Sequence, residues 1–277
     1  MTKLKDWEDL TISDNFLFQK VMQNKRICKT LIQKIIGIEI KDIIYPIPEK
    51  TIAVTAFSKS VRLDLYVETD KGEVIDIEMQ VTNGADGELA HRMRYYQSMI
   101  DLEALEKGKD YAELKRTYVI FICTFDPFKL GRKIYTFTNR CHEEKELELN
   151  DGATKMFLNA KGKEGKVDKD IDKFLAYIDG KAAEGVFTKD VDEEVSKVKQ
   201  HKETRLEYMT LMMELKRQRR EGYDEGHSAG ERIGIEHTKV ANALTMFADN
   251  FPVDKVAKYS HLSIEEATNI GKQHGYL

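Results

Sequence analysis

Two runs, residues 61–67 (VRLDLYV) and 74–80 (VIDIEMQ), alternate apolar and polar side chains and are joined through Asp70, Lys71 and Gly72. Period-two alternation marks a strand with one buried face, so the pair predicts a hairpin. Pairing Thr69 with Glu73 across a short loop closed by Gly72 sets its register and puts Asp64 directly opposite Glu78. Opposed residues of such a pair have Cβ atoms about 4.5–5.5 Å apart. Two carboxylates that close repel each other unless a cation sits between them. Residues two apart share a face, so Gln80 joins Glu78 and Arg62 joins Asp64. Two acids beside an amide form a ligand set for a hard divalent metal.

A chain of 277 residues can hold one sizeable domain with an appendage, or two domains. Its 41% apolar content is enough for a packed core, and its 33% charged content suits long exposed helices. The apolar run Val119 to Cys123 is far too short to span a bilayer. The first residues, Met1 to Asp6, lead into polar sequence with no signal-peptide pattern. Cys28, Cys123 and Cys141 are widely spaced and odd in number, as expected of free thiols in a reducing compartment. A cytoplasmic location without membrane contact is the expectation. The net charge of −4 argues against a strongly basic, non-specific nucleic-acid binder but leaves room for an acidic metal site. The basic run Lys216 to Arg220 (KRQRR) reads as a solvated helical face.

Along the chain, Ser13 is expected to cap a helix running to about Leu31, with Asp14 in its acid-favouring first turn. Thr51 to Phe57 reads as a strand ahead of the hairpin, and Glu88 to Glu106 as a helix carrying His91, Arg92, Tyr95 and Tyr96. Tyr118 to Thr124 is continuously apolar, as in a strand buried on both faces. Ile134 to Phe137, Lys145 to Leu149 and Thr154 to Leu158 are expected strands, and Ile171 to Ile178 opens a helical region. The lysine- and glycine-rich stretch Asn159 to Asp168 reads as a loop without the context of a nucleotide site. One long amphipathic helix is expected from Val191 to Glu221. Glycines then recur every fourth residue at 222, 226, 230 and 234, the spacing of a close helix contact within or between protomers, or of a linker. Short helices at Thr238–Phe247, Val253–Tyr259 and Ile264–Gly271 complete the chain. The last two form a pair similar to a helix-turn-helix, although Glu265 and Glu266 open the second helix, which suits packing as well as DNA readout.

Asp64 followed by Glu78-Met79-Gln80 after a hairpin resembles the core of the PD-(D/E)XK nucleases. Within that superfamily, Ser13 to Met22 (SDNFLFQKVM), Arg62-Leu63-Asp64, Ile77 to Gln80, Arg92 with Tyr95-Tyr96, and Lys107 to Leu114 (KGKDYAEL) resemble the recombination-promoting nucleases, or Rpn family of transposase-like proteins. The superfamily's usual lysine is Gln80 here, a substitution that this branch resembles. Glutamine offers hydrogen bonds where lysine offers charge, so more of the electrostatic work would pass to the metal.

The resemblance implies an α/β fold: a restriction-endonuclease-like mixed central sheet flanked by helices, with a helical C-terminal extension. The expected divisions are a nuclease-like domain over residues 1–190, a long helix and glycine-repeat linker over 191–237, and a small helical module over 238–277. The expected activity is Mg²⁺-dependent hydrolysis of DNA phosphodiester bonds, with Mn²⁺ an alternative ion and a role in recombination or against mobile DNA. Asp64 and Glu78 would hold the ion with the Met79 carbonyl, and Gln80 would orient water or phosphate. Asp14 is a further candidate metal contact, and Arg92 and Tyr96 are candidate DNA contacts; capping and structural pairing are their simpler roles. A homo-oligomer formed through the C-terminal helices is expected. The alternative reading is a catalytically weak nuclease fold serving as a DNA-binding or oligomeric interaction module.

Overall fold

The computed structural model describes residues 5–52, 61–84, 87–105 and 108–277, with only the backbone of 45–52, 61 and 62. Helices α1 (Asn15–Met22) and α2 (Lys25–Ile36) precede three strands, β1 (Ile43–Ile52), β2 (Val61–Thr69) and β3 (Val74–Gln80). Helix α3 (Glu88–Ala104) leads to β4 (Thr117–Cys123), β5 (Ile134–Phe137) and β6 (Ala153–Asn159). Helices α4 (Lys169–Ile178), α5 (Val186–Gln200), α6 (Lys202–Ala248), α7 (Val253–Tyr259) and α8 (Ile264–Gln273) follow.

Among the described residues the strands form one mixed sheet in the order β1-β2-β3-β4-β6-β5. The outer pairs are antiparallel, while β3, β4 and β6 run parallel. Parallel neighbours need a crossover, and α3 provides it between β3 and β4. Every residue of β3 and β4 is buried, so both faces of the sheet centre are covered. On one face Met93, Met99 and Ile100 of α3 pack with Tyr66, Val74, Val119 and Phe121. The fold is thus the expected restriction-endonuclease-like α/β architecture.

The hairpin has the register read from the sequence. Tyr66 pairs with Asp76 and Leu65 with Ile77, and the Thr69 amide donates to the Glu73 carbonyl at 2.9 Å. Gly72 holds a left-handed φ of 76° that favours glycine.

Other elements depart from the sequence reading. The helix expected from Ser13 to Leu31 is two helices, because Asn24 leaves helical geometry and its side chain accepts from the Ile27 amide, starting α2 afresh. Asp14, not Ser13, occupies the N-cap position of α1. Lys145 to Leu149 forms no strand, only an isolated bridge between Arg140 and Glu148; Leu147 and Leu149 stay exposed, so pairing there would bury no apolar face. The first expected strand, Thr51 to Phe57, falls mostly outside the described residues, although β1 ends at Ile52. The long amphipathic helix breaks at His201, whose backbone is extended, and restarts as α6. That helix continues through all four glycines and absorbs the separate helix expected at Thr238 to Phe247.

The chain divides into two compact units, Met1–Tyr208 and Met209–Leu277. In the first, Trp7, Phe16 and Tyr208 form an aromatic cluster, and the Tyr208 hydroxyl donates to the Lys5 carbonyl at 2.7 Å. In the second, Ala243, Phe247, Val256, Ala257 and Ala267 make a small core. Ser263 and Glu266 close a reciprocal capping box on α8.

Candidate active site

Alternation along β2 and β3 brings Asp64 and Glu78 together beside Gln80, at the end of β3 from which α3 departs. Asp64 is 8% exposed, Glu78 2% and Gln80 5%, so each is far drier than an ordinary surface polar residue. The two acids are locked by backbone donors: the Asp64 amide donates to Glu78 Oε1 at 2.7 Å, and the Met79 amide to Asp64 Oδ2 at 3.3 Å. Helix α1 adds two side-chain donors one turn apart, Asn15 Nδ2 to Asp64 Oδ2 at 3.1 Å and Gln19 Nε2 to Asp64 Oδ1 at 2.9 Å. Hydrogen bonds of this kind orient a carboxylate for a ligand.

Helix α3 closes the other side. Arg92 donates from Nη1 to Gln80 Oε1 at 3.1 Å and from Nη2 to the Tyr96 hydroxyl at 3.2 Å, and Nη2 stands 3.8 Å from Glu78 Oε2. Its guanidinium also lies 5.5 Å from the Tyr96 ring centroid and 5.7 Å from that of Phe121. Burial acts to lower the Arg92 pKa, but Tyr96 and Glu78 outweigh it, so the guanidinium stays charged.

Asp14 is held elsewhere. Its carboxylate accepts from the Thr11 amide at 2.8 Å and pairs with Lys5 Nζ at 2.8 Å. The α1 residues that reach Asp64 are Asn15 and Gln19, which sequence reading missed; their signal was the i, i+4 spacing of two amides just after Asp14. The Arg62 side chain lies outside the described residues.

Asp76 was also missed. It shares the face of Glu78 and Gln80, is fully buried, and neither carboxylate oxygen has a hydrogen-bond partner among the described residues. Burial, then the Asp64 charge, holds its carboxyl well above the usual range; Arg92 opposes this. Glu78 is raised in the same direction by burial, then by Asp76 and Asp64. The mutual repulsion of Asp64, Asp76 and Glu78 is what a cation would relieve, and their donors are the hard oxygens that Mg²⁺ and Mn²⁺ prefer. The residues therefore fit a divalent cation in charge and chemistry. No set of three His, Cys, Asp or Glu side chains among the described residues is arranged to grip an ion directly, so backbone carbonyl and water ligands would have to complete a shell.

Buried carboxylates on adjacent strands and an amide two residues on thus lie on a mixed sheet with a parallel crossover, the restriction-endonuclease-like architecture. The family model for PD-(D/E)XK nuclease family transposases matches residues 15–229, and the chain belongs to that family. No curated protein and no solved structure matches the chain. No helix of the described residues is long and apolar enough to cross a membrane.

Proposed function

We propose that the protein is a divalent-metal-dependent DNA endonuclease of the Rpn type. The observation that carries this reading is the buried Asp64–Glu78 pair, held by backbone amides and by Asn15 and Gln19, with the Arg92 guanidinium beside Glu78. A purely structural sheet gains nothing from opposing two desolvated acids.

Asp64, Glu78 and the Met79 carbonyl would hold the ion, Mg²⁺ or Mn²⁺, which when bound lowers the pKa of a ligand water and stabilises charge on a phosphate. Asn15 and Gln19 keep the Asp64 carboxylate turned inward. Arg92 accounts for the missing lysine. By donating to Gln80 Oε1 it leaves the Gln80 amide nitrogen as a donor toward water or a phosphate oxygen. The same guanidinium supplies positive charge beside the site, and Tyr96 holds it there. The roles of Asp14 are support of the loop ahead of α1 and, at most, a contact beyond the ion's direct ligands.

DNA would approach the edge where β3, β4 and β6 end together, the side on which open α/β sheets bind ligands. Beyond the end of β6 on that edge is a cleft of ≈ 560 Å³ whose charged lining is Lys133, Lys163, Lys173 and Lys181 with Asp172 and Glu184, a surplus of cations. Lys133 is paired with Asp172 at 2.6 Å; no ion pair occupies the other three among the described residues. A basic cleft at such a position suits a phosphate backbone. Recombination or action on mobile DNA, a cytoplasmic location and assembly through the C-terminal helices complete the reading.

A second reading, a nuclease fold that binds DNA or partners without cutting, draws on Gln80 in place of lysine and on Arg92 standing beside Glu78. Plasmid cleavage with Mg²⁺ or Mn²⁺ separates the two. Cutting by the wild type that falls at least about 10²-fold in both Asp64→Ala and Glu78→Ala is expected of the nuclease. A folded wild type that binds DNA and never cuts it supports the second reading, and cutting that survives both substitutions places the site elsewhere.

A further inference from the structure

Buried polar groups are almost always hydrogen-bonded, and a buried charged group left alone is costly. Among the described residues Asp76 breaks that rule twice, once at each carboxylate oxygen, at 0% exposure. Its neighbours explain its place but not its isolation. Across β2 it faces Tyr66, whose hydroxyl donates instead to Glu68 Oε1 at 3.3 Å; across β4 it faces Val119, which offers no side-chain donor. Alternation turns it to the face of Glu78 and Gln80, one strand repeat deeper, about 6.6 Å along the strand. Asp64, Glu78 and Arg92 are the charged groups it feels and that feel it.

From this geometry we infer that Asp76 is a positioning residue of the metal site, accepting hydrogen bonds from water molecules bound to a divalent cation held by Asp64 and Glu78. The inference rests on the metal-site reading above. The depth of Asp76, and the lack among the described residues of an acid trio arranged to grip an ion directly, favour a role through water over direct ligation. Mg²⁺ keeps several of its waters when protein-bound, and those waters are strong donors that need acceptors. A buried carboxylate with two unused oxygens is such an acceptor. Asp76 would hold the ion's inner waters in place, leaving the outward coordination positions for phosphate and the attacking water.

The test is Mn²⁺ binding at fixed pH, followed by calorimetry and by the electron paramagnetic signal of free Mn²⁺. Wild type, Asp76→Asn and Asp64→Asn are compared without DNA, so the readout is independent of cleavage. The expected result is Mn²⁺ affinity about 10- to 100-fold weaker in Asp76→Asn, the range for loss of an outer-shell partner. Its metal-free thermal midpoint should be equal to or above that of the wild type, since an amide relieves the repulsion. Unchanged Mn²⁺ affinity in Asp76→Asn, with binding abolished in Asp64→Asn, overturns the role of Asp76 and leaves the metal site standing. A wild type that binds no Mn²⁺ overturns both. A Mn²⁺-soaked crystal of the wild type tests the same point without any variant. An ion-bound water within hydrogen-bond distance of an Asp76 oxygen is expected, and an Asp76 carboxyl that touches none overturns the inference.

Discussion

Gln80 shows how one residue's meaning depends on its neighbours. As a sequence letter it marks a lost lysine, yet in the fold its carbonyl oxygen receives the Arg92 guanidinium from a helix twelve residues on. Positive charge at the site is therefore displaced to α3. Reading Arg92 from sequence gave two roles, phosphate contact or partner for an acid, and its reach to Glu78, Gln80 and Tyr96 meets the second while keeping it in position for the first. The cysteines make a simpler residue-scale prediction. Burial pushes the Cys28 and Cys123 thiols up to about 12, so both stay protonated and sheltered near neutral pH. Cys141 is partly exposed and reachable. A thiol-specific reagent at pH 8 should modify one cysteine in the native protein and all three after denaturation. Rapid native modification of Cys28 would mean that the packing around α2 opens readily.

At the scale of elements, α6 is the least expected feature. Each interior glycine costs roughly 0.8–1.0 kcal/mol relative to alanine, yet the helix runs unbroken through Gly222, Gly226, Gly230 and Gly234. A Cβ at any of the four would meet open space within this chain. Among the described residues of Met209–Leu277 the close contact that the spacing anticipates is therefore absent, which leaves a contact between protomers or a linker as the readings of the glycines. Replacing all four with alanine should raise helicity and stabilise α6 by roughly 3–4 kcal/mol. If another copy packs on the glycines, the same variant should shift the oligomer toward monomer in light scattering. An unchanged mass would remove the glycines from assembly. The basic run needs no partner of this kind: Arg217 pairs with Glu214 at 2.7 Å and Glu221 at 3.4 Å on the same exposed helix. Such exposed pairs are screened by water and contribute little to stability.

For the whole molecule, a net charge of −4 must be reconciled with the polyanionic substrate proposed above. The acids of the site are buried, whereas Lys163, Lys173 and Lys181 are exposed on the cleft beyond β6. Parallel alignment of Gln80, Cys123 and Asn159 puts cleft and acids on one edge of the sheet, two strand spacings or about 10 Å apart. The double variant Lys163→Glu, Lys181→Glu should weaken DNA binding and flatten its salt dependence by roughly one to two phosphate contacts, with Mn²⁺ affinity unchanged. An unaltered salt slope would route DNA away from this cleft.

Local pattern was enough for part of this protein. Period-two alternation and the turn at Gly72 determined the hairpin, its register and the meeting of Asp64 with Glu78, because strand geometry leaves no other pairing once the turn is set. The continuous apolar run determined a strand buried on both faces. Helix boundaries were less legible: the interruptions at Asn24 and His201 hang on single residues that leave the amphipathic period almost intact. Only the tertiary structure brought α1 and α3 to the carboxylates, choosing Asn15 and Gln19 over Asp14 and joining Arg92 to Gln80. It alone made Asp76 exceptional, since the same alternating strand would hold an aspartate comfortably on a solvated face. Burial beneath α3, decided by the packing of helix on sheet, is what leaves that carboxylate without a partner among the described residues.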